Sequence, residues 1–209
     1  DQLLDIAKAC VEAGNPNRYF KFASTSKVTF PGAGVAAMAA SPENVAEIKK
    51  RMGVQTIGHD KLNQMRHVRF LKDADGIAAH MAKHASIIRP KFELVLKMLE
   101  EGLAGTGCGS WSNPRGGYFV SFDAPEGTAK HIVAMAKEAG VTMTGAGATY
   151  PYKNDPKDSN IRIAPTLPPL EELESALKVF VCCVKLVFWH GKCHRSKLRV
   201  SAVLWFEQE

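Results

Sequence analysis

The connection between two predicted strands constrains the fold of this chain more than any other segment. Residues 18–24 alternate and are rich in aromatic side chains, which predicts a strand, and the apolar residues 34–40 predict a second, buried strand. Between them lie Ser24-Thr25-Ser26-Lys27 and the small residues 31–34. We therefore expect Lys27 on a rigid support, with hydroxyl groups before it and little side-chain bulk after it.

This arrangement has two interpretations. An amine at a strand end can reach an aldehyde, the hydroxyls of Ser24 and Ser26 can hydrogen-bond a phosphate, and small residues let the backbone approach a cofactor. Alternatively, Lys27 is a solvated surface charge in a serine-rich loop, as most lysines are. The four residues alone do not decide between a Schiff-base lysine and a surface lysine.

Composition narrows the class of protein. The 209 residues allow one large or two small domains, and 45% hydrophobic with 23% charged residues is ordinary for a globular protein. The net charge is +6, but the basic residues are interspersed with acidic ones and form no dense basic stripe, so we expect no nucleic-acid partner. No apolar run approaches the roughly 20 residues of a membrane helix, and no signal peptide is evident. The chain does not begin with methionine, and we expect it to be part of a longer protein.

The five cysteines form no regular framework and include no CxxC pair, which disfavours disulfides and zinc. Cys182 and Cys183 lie in an apolar helical pattern, so both are expected to be buried free thiols. A reducing cytoplasm fits this pattern best.

Helical periodicity predicts helices over residues 2–13, 61–71 and 77–103, with a kink at Pro90. Ser41 and Pro42 are typical of a helix start. A domain boundary is expected near residues 75–90. The second unit is predicted to be α+β, and its expected elements are strands over 116–122, 141–144 and 160–165 and helices over 126–139 and from Pro169 to about residue 186.

The last 23 residues, 187–209, have a different composition. They hold two of the three tryptophans, the helical pattern is lost, and residues 198–203 resemble a strand. One interpretation is an out-of-frame reading of the DNA, and the other is a genuine but unusual extension.

Three other motifs carry weaker signals. His80 and His84 are four residues apart on a predicted helix, but no third metal ligand is evident and packing histidines are more common. The glycines around residues 145–147 lack the context of a dinucleotide fingerprint. Cys108 lies in a glycine-rich loop that does not match a P-loop, and no patterned histidine accompanies it.

Five segments taken together show a resemblance to one family. In order and spacing they resemble the C-terminal part of a bacterial aspartate aminotransferase, of the divergent subgroup of fold-type I (class I/II) pyridoxal-phosphate enzymes. The likeness covers about residues 1–186, and its segments are FASTSKVTFPGAGVA (22–36), VQTIG (54–58), NPRGGYF (113–119), TGAGATYPY (144–152) and DSNIRIAP (158–165).

The resemblance implies an α/β fold. Residues 1–80 would be the end of the cofactor-binding large domain and residues 81–186 the α+β small domain, followed by the atypical tail. Lys27 would form the Schiff base with pyridoxal 5'-phosphate and shuttle a proton at the substrate. Ser24 and Ser26 would help bind the phosphate, and Arg162 would bind the substrate α-carboxylate, which suits its planar guanidinium.

The resemblance also implies the transfer of an amino group from aspartate or a similar amino acid to a 2-oxo acid such as 2-oxoglutarate. The parent protein would be a cytoplasmic homodimer without membrane or nucleic-acid partners. The nearest alternatives are a lyase or decarboxylase that uses the same cofactor, and a non-catalytic remnant.

Two departures from the family pattern matter. Many relatives carry an arginine seven or eight residues after the lysine, where this chain has Gly34 and Val35. We therefore expect backbone N–H groups of the Gly32–Gly34 turn to meet the phosphate. In the family, the acidic residue that pairs with the cofactor ring comes from sequence well before the lysine, and only 26 residues precede Lys27 here. We therefore expect that this chain alone does not carry out transamination.

Overall fold

The computed structural model describes the backbone of residues 4–205 and the side chains of residues 4–191. It divides into two compact units, one extending to Ser86 and the other beginning at Ile87. The domain limits predicted from the sequence, 1–80 and 81–186, stay a prediction.

The first unit consists of helices around one antiparallel strand pair. Phe20 lies opposite Ala40, and Ser24 lies opposite Ala36. The two predicted strands are confirmed, but the second is not buried, because its residues are exposed or half-exposed. The elements are α1 (Ile6–Glu12), β1 (Phe20–Ser24), β2 (Ala36–Ala40), α2 (Pro42–Gln55), α3 (Lys61–Leu71) and the first part of α4 (Ala74–Leu103).

Local capping sets the starts of α2 and α3. Ser41 Oγ accepts a hydrogen bond from the Asn44 N–H at 3.3 Å, and Pro42 occupies the first helical position, as the sequence predicted. Asp60 caps α3 by accepting from the Asn63 N–H at 2.9 Å. The predicted limits of α3 are confirmed.

The second unit is built on a three-stranded antiparallel sheet in the order β3-β4-β5. The predicted strand over residues 141–144 is wrong, because these residues are irregular and pair with no strand. The elements that follow α4 are β3 (Ser110–Trp111), β4 (Val120–Asp123), α5 (Ala129–Glu138), a short 3₁₀ turn (Pro151–Lys153), β5 (Asn160–Ile163) and α6 (Leu170–Trp205).

The hydrophobic core of this unit lies between the sheet and the helices α4, α5 and α6. Phe122 of β4 packs edge-on against Phe180 of α6, with ring centroids 5.2 Å apart. In α4, Val95 and Leu99 are fully buried, whereas Ile87 is 66% exposed.

The helix α6 continues beyond residue 186 to Trp205, so the predicted loss of helix and the predicted strand over residues 198–203 are wrong. The physical reason is visible at the start of the tail. Val187 and Phe188 lie in the core and extend the buried face of Phe180 and Val184 at helical spacing. The out-of-frame origin of residues 187–209 stays a prediction.

The cysteines differ from the sequence expectation in one respect. Cys108 and Cys183 are buried free thiols, but Cys182 is exposed, because it faces away from the core side of α6. Cys193 lies outside the described side chains. Within residues 4–205, no helix is long and apolar enough to cross a membrane.

Candidate functional site

Lys27 lies in a tight turn at the end of β1. The strand ladder extends by one bond, from the Thr25 N–H to the Val35 carbonyl at 2.9 Å. The Thr25 carbonyl then accepts from the N–H groups of Val28 and Thr29 at 2.8 and 2.9 Å. These bonds enclose Lys27, whose side chain is exposed. The prediction that the lysine lies between two strands is confirmed.

The hydroxyl groups of Ser24 and Ser26 lie side by side in this turn. Their Oγ atoms are 2.5 Å apart, and the Ser26 N–H donates to Ser24 Oγ at 3.1 Å. A Cβ atom at Gly34 would lie 2.8 Å from Ser26 Oγ, so only glycine fits beside the pair without a shift. The exposed hydroxyl pair next to Lys27 fits a phosphate group, whose oxygens accept hydrogen bonds.

The glycine turn that follows contributes less than the sequence suggested. Gly32 has φ +75°, which favours glycine, and the Ala33 N–H donates to the Phe30 carbonyl at 3.1 Å. The Ala33 amide is thus engaged inside the turn. Of the three backbone N–H groups that were expected to bind the phosphate, those of Gly32 and Gly34 therefore stay as the predicted donors.

Two histidines that no sequence pattern linked to Lys27 contact the lysine turn. His67 of α3 bonds the side chains of Thr25 and Thr29, and His80 of α4 bonds the carbonyl of Val28. Because both lie far from Lys27 along the chain, no local sequence pattern indicated that they contact its turn. For His80 the sequence favours a surface or packing histidine over a metal ligand, without indicating which residues it contacts.

Arg162 lies in the second unit, on β5, opposite Ser121. Its guanidinium carbon sits 4.4 Å from the centroid of the Phe119 ring, which is a cation–π geometry. Its Nε atom is buried without a hydrogen-bond partner. Among the described residues no ion pair engages Arg162.

A cavity of about 250 Å³ adjoins Arg162 in the same unit. Thr142 and Thr144 add hydroxyl groups to its lining, and Leu177 and Phe180 add apolar surface. A buried, unpartnered guanidinium nitrogen beside a cavity of this kind suits a small anionic ligand.

The strand that carries Arg162 is fixed at its start by a polar network. Asp155 accepts hydrogen bonds from the N–H groups of Asn160, Ser159 and Lys157 at 2.8 to 2.9 Å. The Asn160 N–H is the largest cause that lowers the pKa of Asp155 below its ordinary value, and the other N–H groups act in the same direction. The side chain of Asn160 donates to Ser121 and Asp123 and accepts from Thr149. The position of Arg162 is therefore set by bonded neighbours on both sides of the sheet.

Comparison with known proteins agrees with this architecture. A sequence model described as aspartate amino-transferase matches residues 1–194, and the chain belongs to the aspartate aminotransferase family. A relative from Mycolicibacterium smegmatis is 49% identical over 183 residues, which cover 88% of this chain and 43% of that protein. An aspartate aminotransferase from Corynebacterium glutamicum is 46% identical over 185 residues, with the same coverage.

The solved structure of an aspartate transaminase from Corynebacterium glutamicum has a TM-score of 0.84 and is 45% identical. The match covers 90% of this chain and 44% of that one. The predicted α/β class, the end of a fold-type I large domain plus an α+β small domain, is confirmed. The chain spans less than half the length of these relatives.

Proposed function

We propose that the parent protein is a pyridoxal-phosphate-dependent aminotransferase that moves the amino group of aspartate, or a similar amino acid, to a 2-oxo acid such as 2-oxoglutarate. The observation that carries this proposal is the hydroxyl pair of Ser24 and Ser26 beside Lys27, in a turn closed between two strands. Family membership supports it.

The proposed roles follow from the chemistry of the side chains. When bound, pyridoxal phosphate supplies an aldehyde that condenses with amines and a ring that accepts electrons from the substrate α-carbon. Lys27 holds the cofactor covalently through its amine and later carries a proton at its Nζ atom. The hydroxyls of Ser24 and Ser26 donate hydrogen bonds to the phosphate.

Arg162 is proposed to bind the substrate α-carboxylate. A guanidinium presents parallel N–H donors that match both oxygens of a carboxylate, and a charge-assisted pair of this kind fixes orientation as well as affinity. The Phe119 ring against the guanidinium limits the directions in which it can swing. A carboxylate would satisfy the Nε atom that is unpartnered among the described residues.

We further propose that this chain acts only as part of the longer parent protein, a cytoplasmic homodimer. The first unit supports this proposal, because its large apolar side chains are exposed: Phe22 by 77%, Val54 by 90% and Leu62 by 84%. Surfaces of this kind usually meet further protein. The isolated chain is then a non-catalytic piece.

The test is an assay of aspartate-dependent oxaloacetate formation by the full-length parent protein. Arg162→Lys keeps the charge but loses the paired donors, so we expect KM for aspartate to rise by about 10- to 150-fold, corresponding to about 1.5–3 kcal/mol. Arg51→Lys, at an exposed position of α2, is the matched control and should change KM little. Release of ammonia or carbon dioxide without a 2-oxo acid product would instead favour the lyase or decarboxylase alternative.

A further inference from the structure

Two histidines, from two different helices, contact the lysine turn at different residues of the segment Thr25–Phe30. His67 Nε2 lies 3.1 Å from Thr25 Oγ1 and 2.7 Å from Thr29 Oγ1. His67 is only 6% exposed, so these contacts are shielded from water. One imidazole thus contacts the turn on both sides of Lys27.

The partners of His67 define its tautomer. Its Nδ1 lies 2.9 Å from the Asn63 carbonyl oxygen, which can only accept, so Nδ1 carries the hydrogen. In the neutral ring Nε2 is then an acceptor for threonine hydroxyls. Thr25 Oγ1 in turn accepts from the Val35 N–H at 2.9 Å, so His67 also fixes the entry to β2.

Helix α3 tethers the glycine turn as well. The side-chain amide of Asn63 donates to the Ala33 carbonyl at 2.8 Å, one helical turn before His67. The same helix therefore holds the start of the lysine turn and the loop that returns to β2.

His80 Nε2 lies 2.6 Å from the carbonyl oxygen of Val28, the residue directly after Lys27. Since a carbonyl only accepts, His80 donates through Nε2. His84 Nε2 lies 3.1 Å from the same nitrogen and must be an acceptor there. His84 thereby fixes the ring orientation of His80, as a second acceptor for its N–H.

An aromatic row joins the two histidines. Phe30 packs edge-on against His67 at 5.3 Å, and its ring is tilted against that of Phe70 at 5.2 Å. Phe70 in turn packs edge-on against His80 at 5.1 Å. Both imidazoles are thus restrained by packing as well as by hydrogen bonds.

We propose that His67 and His80 are positioning residues that hold the turn on either side of Lys27 and so fix where its amine stands. The proposal rests on the proposed function of Lys27 as the cofactor-binding lysine. Neither histidine needs to touch cofactor or substrate. Each acts through the backbone and hydroxyl groups that neighbour the lysine.

The test compares His67→Leu and His80→Leu with His67→Gln and His80→Gln in the full-length protein. Glutamine places an acceptor near the Nε2 position of His67 and a donor near that of His80, whereas leucine places neither. His59→Leu, at an exposed position of the first unit, is the matched control. Thr29→Val removes one hydroxyl at nearly constant shape and serves if a histidine variant fails to fold.

The first readout needs no cofactor and no activity. Amide hydrogen exchange at Val35 in His67→Leu, and at Val28 and Thr29 in His80→Leu, should accelerate by about tenfold or more as the turn opens locally. The acylation rate of the Lys27 amine by acetic anhydride should change in the same variants. The glutamine variants should return both values toward those of the wild type.

The second readout is kinetic. The leucine variants should lower kcat by about 10- to 100-fold with little change in KM, because a misplaced reacting group loses rate rather than binding. Exchange and acylation rates equal to those of His59→Leu would overturn the proposal. If exchange accelerates as expected but the cofactor is attached to another lysine, the histidines do hold the turn, and only the proposed role of Lys27 fails.

Discussion

Replacing Gly34 with alanine tests the geometry of the phosphate site without removing any polar group. The added Cβ would lie 2.8 Å from Ser26 Oγ, 3.3 Å from Ser26 Cα and 3.4 Å from Ser26 N. The shortest contact is to the serine hydroxyl, so the added methyl group displaces this hydroxyl from its place beside Ser24. The tight contact to Ser26 Cα also presses on the backbone of the lysine turn, and overpacking of this kind costs about 1–3 kcal/mol.

If the strain falls on the serine pair that binds the phosphate, the dissociation constant for pyridoxal phosphate should rise by about 5- to 150-fold. The assay is a spectroscopic titration of the full-length apoprotein with the cofactor. Gly53→Ala in α2 is the control, since nothing lies within 4 Å of its added Cβ, and it should leave the constant unchanged. Unchanged affinity in Gly34→Ala, together with weaker binding in Ser26→Ala, would refute the close packing of Gly34 against the pair.

Three further predictions concern the second unit. Leu99→Ala should destabilise this unit by about 2–5 kcal/mol in urea unfolding, because Leu99 is fully buried, whereas Leu186→Ala, at a position 60% exposed, should have a small effect. Cys182 should react with a thiol reagent well before Cys183, since burial raises the pKa of Cys183 and withholds its thiolate, and equal rates would contradict the burial of Cys183. Because backbone N–H groups lower the pKa of Asp155, its carboxylate contributes stability above the ordinary carboxyl pKa, and this contribution is lost as pH falls through the lowered value. The difference in urea midpoint between the wild type and Asp155→Asn should therefore shrink from pH 7 toward acid. A difference that does not change with pH would contradict stabilisation by the ionised carboxylate of Asp155.

The strands around Lys27 were predictable because their signal is local. Alternation before Ser24, small residues after Lys27 and a capping serine at Ser41 each act within a few residues of chain. The same holds for α3, whose limits follow from its periodicity and its cap. These elements need no information about distant contacts.

The contacts that build the site were not predictable, because they depend on tertiary placement. The Oγ of Thr29 meets His67 across 38 residues of sequence, and the Val28 carbonyl meets His80 across 52. No spacing rule connects such positions. The sequence favoured packing over metal binding for the i, i+4 histidine pair, and in the structure the pair shares one N–H that also bonds the turn.

The errors in the tail and in residues 141–144 have a similar origin. Val187 and Phe188 continue the buried face of α6, but tryptophans and basic residues nearby obscured the periodicity. Residues 141–144 alternate like a strand, yet they pair with no strand, although β3 and β5 are the edge strands of the sheet. Pairing partners decide whether a short β-prone segment forms a strand.

The most direct test of the central claim is to locate the cofactor's attachment point. The full-length protein is incubated with pyridoxal phosphate, reduced with borohydride, digested and mapped by mass spectrometry. We expect the phosphopyridoxyl group on Lys27, and we expect it to be lost in Lys27→Arg. Labelling of another lysine in the wild type, at full occupancy, would contradict the assignment of the site.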